Sequence, residues 1–202
     1  DTRGETFGAA DGACAGSSAS QLCAARAGHT ATALGDGNVL LFGGVMSAPA
    51  ADGGSPPRGE VFVQAFERSM PASGDSALLA ARSGHTATEI DCLNPPCPVL
   101  LLGGEVPISK GVPPAALFHP AKVQPGTSSR DYGGSFFSSG RQLAAGQRAW
   151  HGTTALPDGS ILLSGGVDPA TGAAALEAAL FSYCESESGC PAVKRTAVVK
   201  TV

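Results

Sequence analysis

The chain has 202 residues, of which only 15% are charged, with 28 Gly, 15 Pro and a formal net charge of −4. That length can bury a real core, and the abundance of turn formers suits many short strands better than helices. The 13 Lys and Arg form no basic run, which argues against a nucleic-acid surface, and the longest apolar run, 98–102, is far short of the roughly 18–20 residues of a membrane-spanning helix.

In chain order, Arg3-Gly4-Glu5-Thr6-Phe7 matches Arg58-Gly59-Glu60-Val61-Phe62. Residues 1–22 therefore read as the outer strands of a sheet whose inner strands are absent. The chain opens on Asp1 with no initiator Met and no signal peptide, as expected of a processed product, an excised piece or part of something longer. Residues 29–34 alternate small and β-branched side chains and read as a strand. Asp36-Gly37 follows as a tight hairpin turn, because Gly accepts positive φ without steric cost. Val39 to Phe42 is the return strand, apolar on both faces, and Gly43-Gly44 ends it. A third strand starts at Glu60, and a weaker fourth is expected around Phe66.

The same plan returns twice. Arg26-Ala27-Gly28-His29-Thr30 leads to Gly43-Gly44. Arg82-Ser83-Gly84-His85-Thr86 leads to Gly103-Gly104, and Arg148-Ala149-Trp150-His151-Gly152 leads to Gly165-Gly166. The third copy has the hairpin Asp158-Gly159, whereas the second replaces it with Cys92 to Cys97 around Pro95-Pro96. Third strands are expected at 116–119 and 179–182, a fourth at Phe136-Phe137, and a strand-like end at 195–202. A repeat of about 60 residues that ends a hydrophobic strand in Gly-Gly indicates a radial array of small sheets.

These motifs resemble the kelch repeat of β-propellers, the type found in the central domain of galactose oxidase. The resemblance implies an all-β fold of about three four-stranded blades plus part of a preceding one, an incomplete share of the 4–8 blades of a closed ring. The expected blades are 23–78, 79–142 and 143–202, after the partial blade 1–22. An incomplete ring implies further blades, in the same chain or in another subunit. The repeat departs from the family in two respects. The usual fourth-strand Trp is missing, and the third-strand Glu, present as Glu5 and Glu60, is Ala116 and Ala179 in the later copies.

Six cysteines form three local couples, Cys14 with Cys23, Cys92 with Cys97, and Cys184 with Cys190. Such pairing points to disulfides and a secreted, periplasmic or cell-surface location. The four Lys against nine Arg, with abundant Ala and Gly, hint at a high-GC bacterial source.

His29, His85 and His151 are the obvious metal or acid/base candidates. Their equivalence in the repeat instead suggests that each, with Arg26, Arg82 or Arg148, hydrogen-bonds from blade to blade. His119 reads as a loop-entrance residue, and Asp36 and Asp158 as hairpin residues rather than calcium ligands. Ser164 sits in no nucleophile motif and matches Phe42 and Leu102 of the other copies. A copper radical oxidase would need a Tyr–Cys cross-link, and Cys184, next to Tyr183, has a better mate in Cys190. No catalytic residue, cofactor or metal site is expected. The long loops 47–58, 70–76, 106–114 and 122–135 are the expected carriers of specificity. The function expected is an extracellular module for protein or carbohydrate binding or scaffolding. The alternatives are a structural subunit of an extracellular assembly joined through open sheet edges, and a fragment of a larger propeller enzyme such as a carbohydrate oxidase.

Overall fold

Alternating small and β-branched residues before each hairpin, and apolar runs after it, form the strands of the structure. It is a computed structural model that describes residues 22, 25–46, 59–64, 68–74, 82–90, 92, 95–105, 115–121, 133–138, 148–182 and 198–199. The strands are β1 (Arg26–Ala27), β2 (Thr30–Ala33), β3 (Val39–Phe42), β4 (Val45–Met46), β5 (Gly59–Val63), β6 (Arg68–Pro71), β7 (Ser73–Gly74) and β8 (Ser83–Glu89). They continue as β9 (Val99–Glu105), β10 (Ala116–His119), β11 (Ser135–Ser138), β12 (Gly152–Ala155), β13 (Ser160–Ser164), β14 (Ala178–Ser182) and β15 (Val198–Val199). Three antiparallel meanders result: β2-β3-β5-β6, β8-β9-β10-β11 and β12-β13-β14-β15. None closes on itself, and together they form an incomplete propeller-like arrangement of an all-β fold.

The register aligns the three sheets residue by residue. Leu41 lies opposite Glu60, Leu101 opposite Ala116, and Leu163 opposite Ala179. Successive side chains on a strand point to opposite faces, so every second strand offers residues to both neighbours. Leu40 and Phe42 of the first sheet meet Val99, Leu101 and Phe118 of the second in one apolar cluster. Leu100 and Leu102, on the other face, meet Ile161 and Leu163 of the third. The core therefore lies between the sheets, in two layers.

Two hairpins have the same construction. Leu34 N–H donates to Asn38 O (2.8 Å), and Leu156 N–H donates to Ser160 O (2.7 Å). Within these loops Asp36 and Asp158 accept the N–H two residues on, each at 3.0 Å. Positive φ is needed only at Gly37 (86°) and Gly159 (77°), a three-residue loop closed by a left-handed glycine. In the second sheet Ile90 N–H reaches Pro98 O (2.8 Å) and Cys92 is joined to Cys97. That longer loop packs on the first hairpin, since a Cβ on Gly35 would lie 3.0 Å from Pro95 Cβ.

Several expectations change. The fourth strand of the first sheet, expected around Phe66, is β6, Arg68–Pro71; Phe66 itself lies outside the described residues. Met70, expected at the head of a loop, is buried at 3% exposure in the first core layer. Its strand is hard to read because its other buried residue, Ser69, is polar and Pro71 interrupts the apolar pattern. Ser73 and Gly74, expected in the first blade, form β7, which pairs in parallel with β11 on the outer edge of the second sheet. Ser73 N–H donates to Gly134 O (3.1 Å) along that edge. His119 ends β10, at the strand end expected for it. From the 195–202 segment, β15 pairs with β14 as the outermost strand. The expected partial blade 1–22 lies outside the described residues except for Leu22, as do Cys14, Cys23, Cys184, Cys190 and most of the long loops.

A bridge across so short a loop removes unfolded-state entropy. Replacing Cys92 and Cys97 together by Ala is expected to lower stability by about 2 kcal/mol. Denaturant titration of the folded protein checks this; an unchanged midpoint would mean that the loop is held by its packing alone.

Candidate functional site at the inner strands

In each repeat the Arg-x-x-His lead-in pairs with the residue that follows Gly-Gly: Ala27 with Val45, Ser83 with Glu105, and Ala149 with Val167. The second glycine must then lie against its own lead-in. A Cβ would come 2.7 Å from Ala27 O at Gly44, 2.9 Å from Ser83 O at Gly104, and 2.7 Å from Ala149 O at Gly166. No side chain fits there, and φ is +84°, +90° and +92° respectively.

The next link crosses between sheets. Gly44 N–H donates to Arg82 O (2.8 Å), and Gly104 N–H donates to Arg148 O (2.9 Å). Beside it, His85 Nε2 is 2.9 Å from Thr30 Oγ1, and His151 Nε2 is 2.9 Å from Thr86 Oγ1. The first glycine makes room for the ring: a Cβ on Gly43 would lie 2.6 Å from His85 Cε1. Further along the inner strands, Thr32 donates to Ala87 O (3.3 Å) and Thr88 meets Thr153 (2.6 Å). Each joint is therefore a row of neutral hydrogen bonds with an apolar layer behind it.

The arginine side chains work differently from the blade-to-blade role expected of them. The guanidinium groups of Arg26 and Arg148 serve their own sheets, that of Arg82 also reaches the first sheet, and the backbone carbonyls of Arg82 and Arg148 serve the joints. Arg26 Nη2 pairs with Glu60 Oε1 at 2.7 Å, both side chains fully buried, and its Nη1 donates to Gly43 O (3.1 Å). Where Ala179 replaces that glutamate, Arg148 Nη1 donates to Gly165 O (3.1 Å) and Glu177 O (2.7 Å). Arg82, whose repeat has Ala116 in the place of that glutamate, lies over the Phe42 ring of the first sheet with 5.6 Å to the centroid. Burial lowers its pKa to about 10, so it stays charged at neutral pH and the aromatic face meets a cation.

His85 and His151 stay neutral for the same reason. Burial lowers the pKa of His85 to about 4, helped by the positive charge of Arg82, and burial lowers that of His151 to about 4. Such a group is a weak base at neutral pH. Among the described residues, no group of three or more His, Cys, Asp or Glu is placed to hold a metal ion. The inner strands line an open groove of about 490 Å³ with Thr30, Thr32, Thr86, Thr88, Glu89 and Thr153. Its wall is hydroxyl-rich, and its carboxylate is engaged by Gly35 N–H at 2.9 Å from Glu89 Oε1.

Trp150 stands apart. It occupies the lead-in position held by Gly28 and Gly84, and it keeps their backbone: φ is +59° at Trp150, +70° at Gly28 and +64° at Gly84. Its N–H donates to Gly84 O (2.7 Å), and its indole covers Gly84, where a Cβ would lie 2.8 Å from Cδ2. The side chain is nevertheless 61% exposed. A bulky residue in the left-handed region is a costly choice at a place where glycine serves twice. In the sequence Trp150 is marked only by its place in the third lead-in, where it aligns with two glycines. The Thr30 and Thr86 partners were also missed, although each directly follows the motif histidine.

No family model matches the chain, and no curated protein matches it. Among solved structures it is similar to a fungal alcohol oxidase of the AA5 family in complex with copper, at 13% identity and a TM-score of 0.36. The match covers 81% of this chain and 43% of that one, so the chain spans less than half the length of the protein it resembles. A likeness at this level carries no argument about fold or chemistry.

The buried histidines make stability depend on pH. Their folded pKa of about 4 lies below the ordinary 6.5, so the unfolded chain binds protons first as pH falls. The stabilisation is complete above about pH 6.5 and is lost as pH falls towards 4, by up to about 3 kcal/mol per histidine. Denaturation midpoints measured across that window are expected to fall, and to fall less steeply in His85→Gln. Equal slopes in the two proteins would show that His85 does not carry the effect.

Proposed function

We propose that the chain is a kelch-like propeller segment that acts outside the cytoplasm as a non-catalytic module for binding a protein or glycan. The observation that carries this reading is Trp150, which holds a left-handed backbone and exposes its indole on a rigid support. Strain of this kind persists where the surroundings impose it, and it concentrates at sites of function. An aromatic ring already held in place loses little freedom on binding, so it suits an anchor. The neutral, closely packed joints support a scaffolding role, since nothing in them titrates near neutral pH. The Cys92–Cys97 bridge supports a location where disulfides persist.

A second reading, a subunit of a larger assembly, is favoured by the exposed face of the third sheet. A Cβ on Gly165 would meet nothing within 4 Å, whereas at Gly43 it would collide with His85.

Trp150 is the one tryptophan of the chain, so its fluorescence reports on its own surroundings. Ligands drawn from arrays of glycans and peptides are expected to shift that emission. Trp150→Gly is expected to weaken their binding by about 2 kcal/mol or more, with stability within about 1 kcal/mol of the parent. Binding that leaves the emission and the affinity of Trp150→Gly unchanged would move the site elsewhere.

A further inference from the structure

We infer that the groove along the inner strands binds a neutral polyhydroxylated ligand, a saccharide that presents adjacent free hydroxyls. The inference rests on the glycan side of the reading above and gives it a second place. That place is separate from Trp150, which is not in the groove wall.

The wall comes from β2, β8 and β12, the first strand of each meander, and every residue of it is among the described residues. Its volume of about 490 Å³ falls within the about 300–1,000 Å³ usual for small-molecule sites. The repeat sets threonines side by side. Thr30-Ala31-Thr32 of β2 lies beside Thr86-Ala87-Thr88 of β8, and Thr153 of β12 meets Thr88. All five threonines are half-buried, so each is held from behind and open in front.

Their bonds leave hydrogen-bonding capacity of both kinds. A hydroxyl carries one hydrogen and two lone pairs. Thr32 gives its hydrogen to Ala87 O (3.3 Å) and keeps both lone pairs. Thr88 and Thr153 share one bond (2.6 Å), so one of the two keeps a hydrogen to donate. Thr30 and Thr86 each keep at least one lone pair in either tautomer of their histidine partners. Glu89 stands at the end of β8. Its Oε1 accepts from Gly35 N–H (2.9 Å), and its Oε2 has no hydrogen bond among the described residues.

A neutral polyol donates and accepts at every hydroxyl, which matches such a wall. A carboxylate oxygen takes adjacent hydroxyls through charge-assisted bonds, the strongest on offer here. Other ligand classes fit less well. No Lys or Arg lines the groove, and the Glu89 carboxylate repels an anionic ligand. The apolar wall residues are alanines, which give no large surface to an apolar ligand. An added peptide strand needs the free N–H and C=O groups of a strand edge, and Ala87 O is already taken by Thr32.

Titration calorimetry of the whole chain with neutral mono- and disaccharides, and with their uronic-acid counterparts, tests this. The neutral sugars are expected to bind, and the acids to bind more weakly. Glu89→Gln keeps an acceptor for Gly35 N–H. It is expected to weaken the neutral sugars about tenfold and to remove the discrimination against the acids. A merely structural role for Glu89 would weaken both alike and overturn the inference. Thr153→Val is expected to weaken the neutral sugars as well, and Trp150→Gly to leave them unchanged. Circular dichroism checks that each variant is folded. A parent that binds no neutral sugar overturns the inference and leaves the reading above its peptide side. Binding lost in Trp150→Gly and kept in Glu89→Gln and Thr153→Val overturns the inference and supports that reading. Binding of peptides instead of sugars, abolished by Thr153→Val, overturns the ligand class.

Discussion

The structure depends on one close approach: the backbone at each Gly-Gly lies against its own lead-in while reaching the next sheet. Without a Cβ, Gly44 and Gly104 sit within van der Waals distance of a carbonyl of their own sheet and still donate to Arg82 O and Arg148 O across the joint. Any side chain at these positions would push the sheet from its neighbour. The apolar layers behind the glycines would then separate, because close packing does not tolerate a gap of even a methyl group without loss of contact. The second core layer, from Leu100 and Leu102 to Ile161 and Leu163, forms at the distance the glycines set.

The same constraint explains the choice of polar residues. A backbone turned inward at Gly-Gly leaves carbonyls that need donors in a place with little water. Arginine supplies several donors in a fixed fork, so one side chain reaches Gly43 O together with Glu60, and another reaches Gly165 O together with Glu177 O. Where the buried carboxylate is lost at Ala179, a backbone carbonyl takes its place; at Arg82, the Phe42 ring lies against the cation. The histidines complete the set as neutral groups that bond a hydroxyl without bringing a second charge beside the arginine. Buried charge thus acts within the first and third sheets and, through Arg82 over Phe42, at one joint, while neutral hydrogen bonds recur at both joints.

Much of this was legible in the residues, for a physical reason. Strands buried on both faces, glycines needed by their conformation and Asp-Gly hairpins each leave a local mark, so the sheets and the alignment of Glu60 with Ala116 and Ala179 could be read directly. The outer strand β6 left a weaker mark, since Met70 is buried among residues that otherwise resemble a loop. The parallel strand β7 left none, because it is two residues long and its contact needs only the backbone and one serine hydroxyl, of a kind common in loops. The division of labour between an arginine's carbonyl and its guanidinium is a matter of geometry. So is the left-handed backbone of Trp150, which only its alignment with Gly28 and Gly84 betrays.

The central claim is that the sheets are coupled through Thr–His and Gly–Arg contacts rather than merely stacked. A double-mutant cycle between Thr86 and His151 measures that coupling most directly, with Thr86→Val, His151→Phe and the double variant compared by denaturant unfolding. The account expects a coupling of about 1 kcal/mol, the net worth of a buried hydrogen bond. Additive effects of the two substitutions would contradict it and leave apolar packing alone to hold the joint.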